Sequence, residues 1–177
     1  MIIVKHEEFL LRTFEEADAT AMANLLNNKK IWDNCRDGLP YPYSYDDGLA
    51  FIRKINSKDE IQELCIDIDG NPAGNIGIVP GTDVERFNAE IGYYLGEPYW
   101  NKGLMTKVLA AAIRYYFSNT GIIRLHAGVY EYKKPSMHVL EKNGFTKMGI
   151  ARKAIFKNGK FWDAHIYELL KEDALKR

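Results

Sequence analysis

The chain has few cysteines and no long apolar run. Its 177 residues include two cysteines, Cys35 and Cys65, which lie far apart in sequence. A disulfide framework is therefore not expected, and lone thiols suit a reducing compartment. No stretch of eighteen apolar residues occurs, so a transmembrane helix is not expected. Charged residues interrupt the first eleven positions, which argues against a secretory signal peptide. These absences predict a cytoplasmic protein.

The chain also lacks net charge, because 24 basic residues balance 24 acidic ones. This balance argues against general nucleic-acid binding. The two signs are unevenly spread, however: residues 1–100 carry 18 acidic and 9 basic side chains, and residues 101–177 carry 6 and 15. Either the two parts simply attract each other, or the basic part binds a polyanionic cofactor and the acidic part meets a cationic substrate.

Metal-ligand spacing is absent from the sequence. His126, His138 and His165 stand apart from one another and from the cysteines. They are interpreted as structural histidines, and no metal is expected.

Hydrophobic periodicity predicts one mixed α/β domain over residues 1–177. Two helical patterns come first, each behind a predicted capping box, Thr13 to Glu16 and Ser44 to Asp47. A strand-rich meander follows. After Gly103 the strongest helical pattern of the chain appears, carried by Leu104, Met105, Val108, Leu109, Ala112, Ile113, Tyr116 and Phe117. Further strands and a short helix complete six to seven strands, about four helices and one parallel crossover.

The segment 98–106 joins a predicted strand to this strongest helix. Amide N–H groups without helical partners and the positive end of the helix dipole converge at such a turn, which makes it a site for an anion. Gly103 would let a phosphate approach the backbone closely. Lys102 and Lys107 place cations beside the positive helix end, which is unfavourable unless an anion is present. The alternative interpretation is an ordinary strand-to-helix turn.

This segment resembles the acyl-CoA pyrophosphate loop of the GNAT superfamily of N-acetyltransferases, whose pattern is Arg/Gln-x-x-Gly-x-Gly/Ala. Gly103 matches that pattern, whereas Trp100 and Met105 depart from it. The order Tyr-Trp-x-Lys-Gly-x-Met-Thr is similar to the branch that contains the ribosomal-protein N-terminal acetyltransferases. Residues 88–95 and 131–145 resemble two further family motifs in the correct order, and the Phe-Trp-Asp sequence near the end resembles the terminal hairpin of the branch. The resemblance covers roughly residues 8–170 and implies the GNAT fold.

The resemblance implies acetyl-CoA as the cosubstrate and no metal. Its contacts would come from the splayed end of the strand, the loop and the later motif, namely Tyr93, Leu95, Trp100, Asn101, Lys102, Gly103, Leu104, Met105, Thr106 and Lys133. Lys133 stands where the family often has Asn. The hydrogen bonds of that Asn would therefore be altered or replaced by a charge contact.

The resemblance also implies candidate catalytic residues. Glu90 would accept the proton of the attacking amine, directly or through water; alternatively it is a glutamate hydrogen-bonded within the sheet. Leu140 replaces the general-acid tyrosine of many relatives, so Ser136 becomes the candidate for protonating the CoA thiolate. The alternative role of Ser136 is that of a helix N-cap.

An aromatic cluster surrounds the proline-containing loop after the first helices. Trp32, Tyr41 and Tyr43 would border the acceptor pocket in the family and could cover an amine. Packing of a long loop is the alternative.

The sequence thus predicts an acetyl-CoA-dependent N-acetyltransferase that acts on a primary amine by direct attack in a ternary complex. The amine would belong to a protein N-terminus or to a small molecule. A catalytically silent acyl-CoA-binding module is the competing hypothesis; Lys133 and Leu140 favour it, and Glu90 with Ser136 opposes it. A nucleotide enzyme is disfavoured because both glycine-rich phosphate motifs are missing. The acceptor and the oligomeric state, monomer or homodimer, stay open.

Overall fold

The computed structural model describes residues 1–176, which form eight β-strands and six α-helices. The strands are β1 Ile2–Lys5, β2 Leu10–Arg12, β3 Glu63–Ile68, β4 Asn71–Pro80, β5 Asn88–Leu95, β6 Arg124–Tyr130, β7 Thr146–Lys157 and β8 Lys160–Leu170. The helices are α1 Ala19–Leu26, α2 Lys29–Trp32, α3 Tyr45–Asn56, α4 Leu104–Asn119, α5 Lys134–Lys142 and α6 Lys171–Ala174. The mixed α/β class is confirmed.

The strand count exceeds the predicted six to seven by one. The first twelve residues form two paired strands, because the His6 N–H donates to the Phe9 carbonyl at 3.0 Å and reverses the chain between them. The helix count is also higher than predicted, because α2 and α6 are single turns of four residues that leave little trace in hydrophobic periodicity. Within residues 1–176, no helix combines the length and the apolar character needed to span a bilayer.

The chain forms two compact units. The first comprises Met1–Gly77 and Tyr93–Leu104, and the second comprises Ile78–Gly92 and the chain from Met105 onward. Strands β4 and β5 each contribute residues to both units.

In the first unit, β1, β2, β3 and β4 pair antiparallel in sequence order. Helices α1 and α3 supply apolar side chains to a core that also takes Cys65 from β3. The buried members of this core are Phe14, Ala19, Met22, Leu26, Ile31, Tyr43, Ile52 and Cys65. Met22 and Leu26 of α1 and Ile52 of α3 thus anchor the two helices on this core.

One of the two predicted capping boxes is confirmed. Ser44 Oγ accepts a hydrogen bond from the Asp47 N–H at 3.1 Å, and the Asp47 carboxylate accepts one from the Ser44 N–H at 2.8 Å. Together these bonds start α3 with two satisfied amides.

The predicted capping box from Thr13 to Glu16 is wrong. The box lies two residues later, where the Glu15 N–H donates to Asp18 Oδ2 at 2.8 Å. Thr13 is engaged elsewhere, because its Oγ1 accepts from the N-terminal ammonium of Met1 at 2.8 Å.

A buried ion network fixes the start of the first unit. Arg12 donates to both carboxylate oxygens of Asp18, at 2.7 and 2.9 Å, and its Nε donates to Asp67 Oδ2 at 2.7 Å. The hydrogen bond to Asp18 raises the pKa of Arg12 above its ordinary value, in spite of burial. The network links β2, the turn before α1 and β3.

In the second unit, β5 and β6 pair in parallel and α4 is the crossover between them. β6 then pairs antiparallel with β8, and β8 with β7. The predicted helix face is buried over Val108, Leu109, Ala112, Ile113, Tyr116 and Phe117. The single parallel crossover is thus confirmed.

Two tight turns close the hairpin of β3 with β4 and the hairpin of β7 with β8. Asp69 and Gly70 have φ of 53° and 79°, and Asn158 and Gly159 have φ of 52° and 73°. Consecutive positive φ angles match the twist of the flanking strands, which explains the Asp-Gly and Asn-Gly pairs.

Candidate active site

The loop between β5 and α4 has an unusual backbone. It begins with a 3-10 turn over Glu97–Tyr99 and continues with two left-handed residues, Asn101 at φ 60° and Gly103 at φ 72°. Left-handed backbone is uncommon outside glycine, and Asn tolerates it better than most residues. The loop therefore reaches the start of α4 through a conformation that only a few residue types adopt.

Open space lies above Gly103. A β-carbon built on this glycine meets no atom within 4 Å, and Asn101, Lys102 and Gly103 are exposed. The first amides of α4, from Leu104 onward, have no carbonyl acceptor one turn earlier in the helix. Lys102 extends over the Tyr99 ring, with Nζ 5.9 Å from its centroid. Exposed backbone donors, a helix N-terminus and an ammonium group together suit a phosphate.

Trp100 anchors the loop to the end of β5 and to the core of the first unit. Its Nε1 donates to the Leu95 carbonyl at 2.6 Å, and its ring packs on the core of the first unit. Leu95 is buried at the end of β5, while Tyr93 is half-buried. The departure from Arg or Gln at position 100 thus places an indole that ties the loop to the strand before it.

The first turn of α4 is held by a side chain from the end of α5. Asn143 Nδ2 donates to the Thr106 carbonyl at 3.1 Å and to the Val139 carbonyl at 2.9 Å. Leu104 is buried, and Met105 and Thr106 are half-buried. Asn143 is the C-cap residue of α5, and its bond to α4 was not predicted from the sequence.

Ser136 does not cap α5. The N-cap is Lys133, and Ser136 lies in the first turn with 8% of its surface exposed. The N-cap alternative for Ser136 is therefore wrong, because α5 begins at Lys134, two residues before it. The Ser136 N–H donates to the Lys133 carbonyl at 3.2 Å, so these two predicted site residues share one helical turn.

Glu90 lies in a polar row across three strands of the second unit. In the strand register, Glu90 pairs with His126 and His126 pairs with Glu168. Neighbouring strands are about 4.8 Å apart, so these side chains are neighbours on one face. Arg124 Nε donates to Glu168 Oε2 at 2.8 Å. An imidazole beside a carboxylate can share a proton with it; the interpretation of His126 as structural stays a prediction.

The three predicted acceptor aromatics separate into a pair and a core residue. Trp32 and Tyr41 lie with ring centroids 5.5 Å apart, and Tyr41 is 44% exposed. Tyr43 is buried in the core, and burial raises its pKa to about 12. Its backbone is fixed by Asn27, whose amide donates to the Tyr43 carbonyl at 2.6 Å. Only the exposed Tyr41 and the half-buried Trp32 beside it are placed to cover a ligand.

An open pocket of about 570 Å³ lies beside the start of the loop. It is lined by residues of the α1–α2 connection and of the 3-10 turn, namely Asn24, Leu25, Asn27, Asn28, Lys29, Glu97 and Pro98. Asn28 Nδ2 donates to Glu97 Oε2 at 2.6 Å, and Lys30 forms an ion pair with the same carboxylate. None of the predicted site residues lines this pocket.

Potential metal ligands gather at one place in the described chain. His6, Glu7 and Glu8 lie within reach of one another on the turn between β1 and β2. The two glutamates are exposed, and exposed acidic groups are common without an ion.

His165, on β8, is a partly buried histidine with an unsatisfied ring nitrogen. Its Nδ1 is buried without a hydrogen-bond partner among the described residues, and burial lowers the pKa of the imidazole.

Comparison with known proteins identifies the family. The model of the acetyltransferase (GNAT) domain matches residues 8–146. The uncharacterized N-acetyltransferase YoaA of Bacillus subtilis is 34% identical, over 96% of this chain and 97% of that protein. The [ribosomal protein uS5]-alanine N-acetyltransferase of Escherichia coli is 27% identical, over 93% of this chain and 88% of that protein.

The fold has close counterparts among solved structures. The ribosomal L7/L12 α-N-protein acetyltransferase RimL, solved in complex with coenzyme A, superposes with a TM-score of 0.87 at 23% identity. It covers 98% of this chain and 99% of its own. The superposition agrees with the fold described above; the domain match over residues 8–146 and the relative that is 34% identical show that the chain belongs to the GNAT family of N-acetyltransferases.

Proposed function

We propose that this enzyme transfers the acetyl group of acetyl-CoA to a primary amine by direct attack within a ternary complex. The observation that carries the proposal is the loop that ends at Gly103. Its left-handed backbone, the open space above it and the amides of the following helix fit a pyrophosphate. Acetyl-CoA supplies the acetyl group as a thioester.

The pyrophosphate would bind the N–H groups that follow Gly103, with Lys102 contributing positive charge. A negative ligand at this end also relieves the unfavourable proximity of Lys102 and Lys107 to the positive helix terminus. Thr106, with its carbonyl bonded to Asn143, lies in the same turn. The loop therefore binds and orients, and takes no part in proton transfer.

Proton transfer requires a base and an acid. A primary amine is protonated at neutral pH and loses its proton before its nitrogen attacks the thioester carbon. Glu90, directly or through water, would accept that proton, and His126 beside it could pass the proton on. As the C–S bond breaks, the leaving sulfur takes up a proton, for which Ser136 is the candidate donor.

The acceptor would be a peptide N-terminus or a small amine. A relative named as an enzyme for the alanine terminus of ribosomal protein uS5 supports the peptide. The exposed Tyr41 and the half-buried Trp32 beside it are the aromatic surface available to an amine. Buried Leu140 cannot supply the proton that a tyrosine supplies in many relatives, which keeps the silent acyl-CoA-binding module as the competing candidate.

Initial-rate kinetics test the proposed mechanism. Thiol release is measured while acetyl-CoA and one amine are varied against each other. Direct transfer predicts lines that intersect in a double-reciprocal plot, because both substrates are bound when the bond forms. Parallel lines would indicate a covalent acetyl-enzyme and would contradict the proposal.

A further inference from the structure

A polar cluster interrupts the covered face of the first unit. It consists of Glu63 on β3, Asn75 on β4 and Tyr94 on β5, and we call it the Glu63 cluster. Glu63 and Cys65 alternate onto the same face of β3, and in the strand register Cys65 pairs with Asn75. Cys65 is part of the core beneath α1 and α3, and Tyr94 packs against that core. An otherwise apolar interior thus contains a carboxylate, an amide and a phenol.

Glycine makes room for the carboxylate. In the register Glu63 pairs with Gly77, and a β-carbon built on Gly77 would lie 1.9 Å from Glu63 Oε2. Any larger residue at position 77 would displace the carboxylate. Glu63 itself is half-buried, so one side of it stays accessible.

The charge of Glu63 is compensated only weakly, by the Asn75 amide and, through space, by Lys58. The two fully buried carboxylates of this unit, Asp18 and Asp67, are both held by Arg12. Among residues 1–176 Glu63 has no such ion pair; Lys58 acts on it only through space, since its Nζ donates to Gln62. Burial raises the pKa of the Glu63 carboxyl, and the Asn75 amide only partly offsets that effect. Burying an acid without a cation is unfavourable, so such a group is expected to have a partner from outside the chain.

A second group in the cluster is poorly satisfied. Asn75 is 7% exposed and its amide lies near the Glu63 carboxylate, but among the described residues no acceptor stands in hydrogen-bond geometry with its Nδ2. A buried amide donor without an acceptor costs free energy. Tyr94, Tyr43 and both cysteines lie near enough to influence one another electrostatically, and burial raises the pKa of Tyr94 well above its ordinary value.

We infer that the Glu63 cluster binds the acceptor: Glu63 accepts hydrogen bonds from an ammonium group, and Asn75 Nδ2 donates to a carbonyl oxygen beside it. An ammonium next to a carbonyl is the chemical signature of an amino-acid residue with a free α-amine. The pair of unsatisfied groups therefore selects α-aminoacyl acceptors over simple alkylamines. This inference rests on the proposed acetyl transfer and adds the residues that choose the acceptor.

Two small acceptor amines distinguish the contact made by Glu63 from the contact made by Asn75. Alaninamide carries an ammonium and a carbonyl on one carbon, and 2-aminopropane carries the ammonium alone. The value of kcat/KM is measured for each acceptor with wild type, Glu63→Gln and Asn75→Leu, at saturating acetyl-CoA. Comparing each variant with wild type on the same acceptor removes the difference in amine basicity.

Glu63→Gln should lower kcat/KM about 10- to 100-fold for both acceptors, the range for a charge-assisted hydrogen bond. Asn75→Leu should lower it about 10-fold for alaninamide and leave 2-aminopropane nearly unchanged. The control Glu60→Gln removes the same charge from an exposed position nearby and should change neither value. The KM for acetyl-CoA should stay constant in all three variants.

Folding is checked by thermal unfolding. A carboxyl whose pKa is raised by folding weakens stability above the pKa of the unfolded chain, so Glu63→Gln should be at least as stable as wild type at pH 7. The difference in stability between Glu63→Gln and wild type should vanish below the ordinary glutamate range of about pH 4.

A folded Glu63→Gln with unchanged kcat/KM on alaninamide would overturn the inference and leave acetyl transfer intact. A wild type that binds acetyl-CoA and releases no thiol with any amine would instead overturn the proposed function, and the inference with it.

Discussion

Two substitutions of Gly103 test whether a negatively charged ligand binds beside this residue. At φ 72° any L-residue is strained, by about 1–2 kcal/mol for most side chains and less for Asn. No atom lies within 4 Å of the built β-carbon, so no steric term is added. Gly103→Asn and Gly103→Asp share shape and strain and differ only in charge.

The magnitude follows from Coulomb's law. A carboxylate about 6–8 Å from a phosphate charge, at an effective dielectric constant of about 20, loses about 2–3 kcal/mol. Since 1.4 kcal/mol corresponds to a factor of ten, Gly103→Asp should bind acetyl-CoA roughly 30- to 150-fold more weakly than Gly103→Asn. Gly103→Asn should remain within about tenfold of wild type.

Calorimetric titration with acetyl-CoA at low salt measures the three affinities, and thermal unfolding shows whether the variants are folded. Raising the salt concentration should narrow the gap between Asp and Asn, because the position is exposed and screened. Equal affinity of folded Gly103→Asp and Gly103→Asn would mean that no phosphate lies near residue 103, and the cofactor loop would be misassigned.

Three further outcomes are expected. Glu90→Gln should lower turnover by about 10²-fold, and most at low pH, where the amine is hardest to deprotonate; pH–rate profiles measure this. Arg12→Leu should destabilise the fold by about 3–5 kcal/mol, because two buried aspartates lose their partner, and should lower Tm by about 6–20 °C. Iodoacetamide at pH 8 should alkylate Cys35 before Cys65, because burial raises the pKa of Cys65 to about 12; mass spectrometry of peptides identifies the site.

Each of these has a result that counts against it. An unchanged pH–rate profile for Glu90→Gln, with the exposed Glu85→Gln as control, would move the base elsewhere. A melting curve for Arg12→Leu that matches wild type would show that the buried network contributes nothing to stability. Simultaneous labelling of Cys35 and Cys65 in the folded protein would contradict the burial of Cys65.

Local patterns in the sequence predicted most of the fold. The face of α4 and the capping box at Ser44 each depend on residues within a few positions of one another. The predicted box at Thr13 failed because a distant group, the N-terminus of the chain, bonds to its hydroxyl. Which hydrogen bond the Thr13 hydroxyl forms depends on the tertiary structure. Local sequence propensity carries no information about such distant groups.

The site was only partly predictable for the same reason. Gly103 is recognisable because one residue type suits its backbone. The neighbourhood of Glu90 and His126 depends on the register of a parallel strand pair, and the isolation of Glu63 depends on which cations do not approach it. Neither the register of two paired strands nor the absence of an ion-pair partner can be recognised in a single sequence.

The central claim is acetyl transfer to an amine, and thiol release from acetyl-CoA tests it most directly. Purified protein is incubated with acetyl-CoA and a panel of alaninamide, short peptides with free N-termini, spermidine and 2-aminopropane, and the product is weighed by mass spectrometry. Acetyl transfer predicts thiol release that depends on the amine, with one N-acetylated product molecule for each thiol released. Tight binding of acetyl-CoA without release on any member of the panel would contradict it and would identify a silent acyl-CoA-binding protein.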